Sequence, residues 1–94
     1  MIPKSFKIAG GKTINIKIVS HLDDSEFGNF NYTTNTISIA ESVNGTKISE
    51  EDMERTYYHE LIHVFQWFYN VEFDEAQAQV YSNFIYEYIN SCQN

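Results

Sequence analysis

Cysteine, proline and glycine are scarce in this sequence: one, one and four residues, respectively, among 94. Since Cys92 is the sole cysteine, an internal disulfide is impossible, which fits a reducing compartment. The low proline and glycine content excludes a collagen-like chain and argues against a disordered one. The first residues lack the long apolar stretch of a signal peptide. We therefore expect a cytoplasmic protein.

Positive charge is also scarce. Six lysines and arginines face thirteen aspartates and glutamates, which gives a formal net charge of −7. A nucleic-acid-binding protein ordinarily carries a basic stripe, and this sequence has none. No hydrophobic run approaches the length of a membrane span. We expect neither nucleic acid nor a membrane among the partners.

Aromatic residues, by contrast, are abundant. The sequence is 43% hydrophobic and includes seven tyrosines and seven phenylalanines. Large aromatic side chains supply much buried area per residue, which compensates for the short chain. The composition predicts one compact domain over residues 1–94.

The first half of the sequence has the period of β-strands. Apolar residues alternate with polar ones at positions 6 and 8, and again at 14, 16 and 18, on either side of Gly10-Gly11. This pattern predicts a hairpin. A loop over residues 21–26 is closed by Gly28. After it a second and shorter hairpin is predicted, with a strand over about 29–32, a turn at 33–35, and a strand whose Ile37 and Ile39 face inward.

The second half has the period of helices. Ser49 followed by three acidic residues predicts an N-cap with carboxylates in the first turn, and the helix should run to about Phe68. Asn70 is a plausible stop, and Asn70 or Asp74 could cap a second helix that reaches about Asn90. Strands followed by two helices indicate an α+β domain.

Both predicted helices are rich in apolar residues. In the first, we expect these residues to bury the helix nearly all round; in the second, apolar residues recur every four positions. The first set is Tyr57, Tyr58, Leu61, Val64, Phe65, Trp67 and Phe68, and the second is Val80, Phe84 and Tyr88 with Tyr81 and Ile85 beside them.

The first helix contains the sequence His59-Glu60-Leu61-Ile62-His63, which matches the pattern H-E-x-x-H. At about 100° per residue, His59 and His63 lie about 40° apart on one helix face, so both imidazoles can reach one metal ion. Glu60 lies about 100° from His59, where its carboxylate could reach a metal-bound water without binding the metal.

The alternative is a pair of core histidines satisfied by hydrogen bonds. By chance, the full pattern would arise in roughly a few sequences per thousand of this length. The helical context, with no glycine or proline inside the motif, favours the metal site.

A catalytic zinc usually has three protein ligands. The extended motif with a glycine and a third histidine is excluded, because Gln66 and Tyr69 occupy those positions. His21 is the only other histidine, and its acidic loop predicts that it is exposed. A carboxylate is therefore expected as the third ligand.

Three acidic residues are candidates for that ligand. Glu75, in the first turn of the second helix, can meet the histidine face if the two helices form a pair, and it is our preferred ligand. Asp74 reads better as a helix cap, and Glu72 as a loop acid.

The motif at 59–63, followed by Glu75-Ala76-x-Ala78, resembles the gluzincin metallopeptidases. It is most similar to very small members, namely the minigluzincins and the ImmA/IrrE-like peptidases of phages and mobile elements, and the resemblance covers most of the chain. The interval from His63 to Glu75 is short for gluzincins, and Gln79 stands where larger members often carry an acid. The resemblance implies that the strand Thr36–Ala40 borders the cleft, where a substrate could add as a further strand.

The predicted function is hydrolysis of a peptide or protein substrate, with one Zn²⁺ per chain bound by His59, His63 and Glu75 and with Glu60 as general base. The alternative is a metal-stabilised binding or regulatory protein with little turnover. Two further roles are left open: a tyrosine that helps polarise the scissile carbonyl, and amides that orient the ligands. The candidates are Tyr32, Tyr69 and Tyr81 for the first role, and Gln79 and Asn83 for the second.

Overall fold

A four-stranded sheet packs against two helices in this protein, whose residues 2–92 are described by a computed structural model. Along the sheet the strands run in the order β1-β2-β4-β3. A separate two-stranded sheet, β5 and β6, precedes helices α1 and α2. The bounds are β1 Ser5–Ile8, β2 Lys12–Val19, β3 Gly28–Asn31, β4 Thr36–Ala40, β5 Ser42–Val43, β6 Thr46–Lys47, α1 Glu50–Phe68 and α2 Glu75–Ser91. The predicted α+β class is confirmed.

Both predicted hairpins are present. β1 pairs antiparallel with β2 across Gly10 and Gly11, whose φ angles of 89° and 77° are readily adopted only by glycine. β3 pairs antiparallel with β4. In the turn between them, the Asn31 side chain accepts hydrogen bonds from the backbone N–H groups of Thr33 and Thr34.

The two hairpins join through a parallel pairing of β2 with β4, which aligns Ile16 with Ile37 and Ile18 with Ile39. As a result, β4 is paired on both sides and β3 lies at the edge. A substrate therefore cannot add as a further strand to Thr36–Ala40, and that expectation is wrong. The two edge strands of the sheet are β1 and β3, and β3 is the one that lies beside α1.

The core lies between the sheet and α1. Ile14, Ile37 and Ile39 are completely buried, and Tyr57 and Val64 of α1 pack with them. Burial of an isoleucine side chain contributes about 1.5–3 kcal/mol, so this cluster is a principal source of stability. The inward orientation predicted for Ile37 and Ile39 is confirmed.

Helix α1 begins and ends where the sequence indicates. The Asp52 N–H donates to Oγ of Ser49 at 3.1 Å, and Asn70 adopts a positive φ of 56° just beyond the helix. The helix is not buried all round, because Phe65 and Trp67 are exposed. The sheet and α2 cover two of its sides, and no third layer covers the rest.

Helix α2 packs through small residues. Asp74 caps it by accepting a hydrogen bond from the Gln77 N–H at 3.0 Å, as one of the two predicted caps. Ala78 and Ser82 are the buried positions of this helix, whereas the series Val80, Phe84 and Tyr88 is more than half exposed. Neither helix is long and apolar enough to cross a membrane within residues 2–92.

Candidate metal centre

The antiparallel pair of helices brings His59, His63 and Glu75 together. Nε2 of His59 lies 3.3 Å from Oε1 of Glu75, and Nε2 of His63 contacts the same oxygen. The three candidate ligand atoms lie within 4.8 Å of one another. Glu75 is the first residue of α2, so the cap at Asp74 also fixes the position of this carboxylate relative to the two histidines. The structure thus brings together the three predicted ligands.

The other candidate ligands lie outside this cluster. The Asp74 carboxylate is occupied as the cap of α2. Glu72 lines a neighbouring cavity without joining the three ligand atoms. His21 is exposed, as predicted, and its Nδ1 lies 3.2 Å from the Ser20 hydroxyl.

Gln66 fixes the orientation of the His63 ring. Its Oε1 lies 2.8 Å from Nδ1 of His63, and its Nε2 donates to the Asp74 carbonyl at 3.1 Å and to Oε1 of Gln77 at 2.8 Å. Because the amide nitrogen has two acceptors, the amide oxygen is the atom that faces His63. Nδ1 of His63 therefore donates to this oxygen, which leaves Nε2 as the nitrogen that a metal ion would bind.

Gln79 plays the same part for His59, whose Nδ1 lies 3.1 Å from Oε1 of Gln79. This is the position predicted for an orienting amide. Asn83 does not contact a ligand; its oxygen accepts a hydrogen bond from Arg55 at 3.5 Å. The prediction missed Gln66, although its spacing of three residues from His63 places it on the same helix face.

The donor set suits a divalent cation. With both Nδ1 atoms hydrogen-bonded to amide oxygens, the two Nε2 atoms and a carboxylate oxygen of Glu75 are the groups that converge on one point. Two imidazole nitrogens and one carboxylate are a common protein ligand set for catalytic zinc, which keeps a fourth position for water. The residues present therefore fit the metal.

Glu60 lies beside this cluster and is 7% exposed. Among residues 2–92, none hydrogen-bonds its carboxylate. Burial raises the pKa of Glu60 to about 7, with His63 opposing the shift and Glu75 and Glu26 adding to it. A carboxyl group with a pKa near neutrality is suited to accept and return a proton. It is not one of the three clustered groups.

Gly28 allows the edge strand to lie close to Glu60. A Cβ atom at Gly28 would lie 2.6 Å from Cγ2 of Thr56, 3.0 Å from the Ser38 carbonyl oxygen and 3.5 Å from Cγ of Glu60. Only glycine permits this approach of β3 to α1. From the sequence, Gly28 was interpreted only as the end of a loop.

Two cavities flank Glu60. The first, of about 830 Å³, has four aromatic side chains among polar ones in its lining, and the second, of about 520 Å³, is lined mostly by polar residues. Gly28, Glu60 and Glu75 line both, so the cleft passes across the candidate site. The aromatic lining is Phe30, Tyr32, Trp67 and Phe73; the polar lining includes Asp52, Thr56, Gln79 and Asn83.

Of the three candidate tyrosines, only Tyr32 lies in the cleft. Its ring stacks on Trp67 with the centroids 4.1 Å apart. Tyr69 stacks on Phe65, and Tyr81 is exposed on α2; neither lines the two cavities at the site.

Similarity to known proteins assigns no function to this site. Comparisons of the chain with models of protein families, with curated proteins and with solved structures found no match.

Proposed function

We propose that this protein is a zinc-dependent peptidase. One Zn²⁺ per chain would be held by Nε2 of His59, Nε2 of His63 and the carboxylate of Glu75. The observation that carries the proposal is the convergence of these three groups beside a buried carboxyl group, Glu60, that has no hydrogen-bond partner among the described residues. The cytoplasmic location expected from the sequence remains a prediction.

When bound, zinc would supply a water activated near neutral pH and would polarise the scissile carbonyl. Glu60 takes the proton of the attacking water and returns it to the leaving amine. In the metal-free protein burial raises the pKa of Glu60 to about 7, which suits a group that accepts and returns a proton. Gln66 and Gln79 hold the imidazole rings in one tautomer and one orientation, so that the ligand geometry does not have to form during the reaction.

The free edge of β3 is the proposed docking line for the substrate. The Ala40 N–H donates to the Phe27 carbonyl at 2.9 Å, which makes these two residues a hydrogen-bonded antiparallel pair. By alternation, the backbone groups of Gly28 and Phe30 point away from β4, toward the free edge. An extended peptide can pair with these groups and so pass alongside Glu60.

The second candidate function is a metal-stabilised binding or regulatory protein with little turnover. The observation that favours it is the openness of the site, because the Glu75 side chain is 65% exposed. A second lobe ordinarily encloses the reacting bond and excludes water, and within residues 2–92 nothing covers the site in this way.

Cleavage of a peptide library by the zinc-loaded protein tests the proposal, with Glu60→Gln as the matched variant. We expect the wild type to cleave, and Glu60→Gln to retain zinc while losing roughly 10²–10⁴-fold in rate. Equal cleavage by the two zinc-loaded proteins would contradict the mechanism. A wild type that binds zinc and cleaves no peptide would favour the binding protein, and loss of zinc in the variant would make Glu60 a ligand.

A further inference from the structure

Exposed aromatic side chains are concentrated on one side of Glu60. Tyr32, Trp67 and Phe73 line the same cavity and are 56%, 51% and 69% exposed, respectively. Large apolar side chains left open in a concave site are typical of a ligand-binding position.

These side chains form an ordered wall rather than a loose patch. Tyr32 stacks on Trp67 at an interplanar angle of 28°, and Phe73 stacks on the His63 ring with the centroids 4.7 Å apart. Tyr32 follows the last residue of β3, and its stacking on Trp67 places its ring against α1. Stacked rings lose little conformational freedom when a ligand binds, so this wall is prepared for an apolar side chain.

The other side of Glu60 differs in chemistry. Its cavity is lined mainly by polar side chains, such as those of Thr56, Gln79 and Asn83, and Phe27 is its one aromatic residue. A peptide that crosses the site along β3 therefore meets an apolar wall on one side of the reacting bond and a polar surface on the other.

We propose that the cleft selects extended peptides with a bulky aromatic or aliphatic side chain on one side of the scissile bond, and that the Tyr32–Trp67 pair is the specificity-determining wall. The inference rests on the proposed function for the position of that bond. Gly28, next to Glu60, and the last residue of β3, Asn31, are three residues apart, or about 10 Å along an extended chain, and Tyr32 follows directly. A peptide paired with β3 has the same rise per residue, so the selected side chain lies within about four residues of the cut.

Charge adds a second requirement. Glu26 and Glu72 line the aromatic cavity, and no lysine or arginine is among the described residues that line it. The chain as a whole carries a formal charge of −7. On the aromatic side of the reacting bond, neutral or cationic residues of the peptide are therefore favoured over acidic ones.

A phenylalanine scan tests the proposal. The probes are acetylated, amidated peptides of alanine, serine and lysine, each with one phenylalanine moved stepwise along the chain, plus the phenylalanine-free host. Cleavage by the zinc-loaded wild type is followed by mass spectrometry. Binding without turnover is followed in Glu60→Gln through the emission of Trp67, the only tryptophan in the chain.

We expect phenylalanine to raise kcat/KM at least about tenfold over the host and to tighten binding to Glu60→Gln by a similar factor, as burial of an aromatic side chain would. Moving phenylalanine by one residue should move the cut by one residue, always on the same side. Tyr32→Ala should lower the phenylalanine-to-host ratio at least about fivefold while retaining zinc. Phe84→Ala removes an exposed aromatic from the outer face of α2 and is the matched control; it should leave the ratio unchanged.

The outcomes separate this inference from the proposed function. Cleavage of every peptide at equal rates, whatever the position of phenylalanine, would overturn the selectivity and leave the peptidase standing. Tight binding of phenylalanine peptides to Glu60→Gln without cleavage by the wild type would support the aromatic wall and overturn the peptidase. If the peptides are neither bound nor cut, both are wrong.

Discussion

The side-chain oxygen of Gln66 lies 2.8 Å from Nδ1 of His63, one helical turn earlier on α1. The nitrogen of the same amide donates to the carbonyl of Asp74, the residue that caps α2 and precedes Glu75. One buried amide thus connects a candidate ligand on α1 with the start of the helix that carries the third ligand.

Replacing Gln66 tests this connection. Gln66→Leu removes the acceptor for His63 and the donor to Asp74, so zinc affinity should fall about 10–100-fold and the free energy of unfolding by about 1–3 kcal/mol. Chelator competition and urea denaturation measure the two effects. Gln66→Glu keeps an oxygen toward His63 and should restore zinc affinity without restoring the bond to Asp74. Equally weak zinc binding in both variants would show that an oxygen acceptor for Nδ1 of His63 does not determine zinc affinity.

The third ligand is tested by three alanine variants of neighbouring acids. Glu75→Ala should weaken zinc binding at least about tenfold, because it removes one of three ligands. Glu72→Ala removes the same charge nearby and should leave zinc affinity within about twofold. Asp74→Ala should cost about 1 kcal/mol of stability through the lost cap. Metal titration against a competing chelator ranks them, and a larger loss in Asp74→Ala than in Glu75→Ala would assign the ligand to Asp74.

The pH dependence of stability follows from Glu60 in the metal-free protein. Burial raises its pKa from 4.5 to about 7, so the folded state holds the proton more tightly than the unfolded state. The resulting stability is fully present below about pH 4.5 and is lost as the pH rises to about 7. The rise in the pKa of Glu60 corresponds to about 3 kcal/mol. Urea denaturation at pH 5 and pH 8 should show this loss in the wild type, and Glu60→Gln should lack it; an equal loss in both would assign it to another group.

Gly28 offers a test of strand–helix packing. Gly28→Ala places a methyl group 2.6 Å from Cγ2 of Thr56, so β3 must move away from α1, at a cost of about 1–3 kcal/mol. Thr56→Ser removes that Cγ2 atom and keeps the hydroxyl that donates to the Asp52 carbonyl. In urea denaturation, the double variant should therefore lose less unfolding free energy than the two single variants lose in total. Strict additivity would show that Thr56 is not the obstacle.

Local features of the fold could be predicted because each depends on a few neighbouring residues. The hairpins follow from alternation around a turn, and the caps at Ser49 and Asp74 from side chains that accept backbone hydrogen bonds. The pairing of His59 with His63 follows from helical spacing alone. The choice of Glu75 required only that the two helices fold back on each other.

Features that depend on distant parts of the chain could not be predicted in the same way. The parallel pairing of β2 with β4 leaves no local pattern, so the edge strand was misassigned. Helical periodicity shows that residues share a face but not whether anything covers it. For this reason the exposure of Phe65 and Trp67 was not foreseen. The hydrogen bond from Gln66 to the Asp74 carbonyl likewise could not be predicted, because Asp74 lies on the other side of the interhelical turn.

The antiparallel helix pair has a consequence for the order of folding. The candidate ligands and the amides that orient them all lie between His59 and Gln79, within one helical hairpin. Closing so short a loop costs little chain entropy, whereas the β2–β4 pairing must bring together two separate hairpins. We therefore expect the ligand cluster to assemble early, before the sheet is complete. During refolding, a metal ion could then be captured by a partly folded chain rather than by the finished domain.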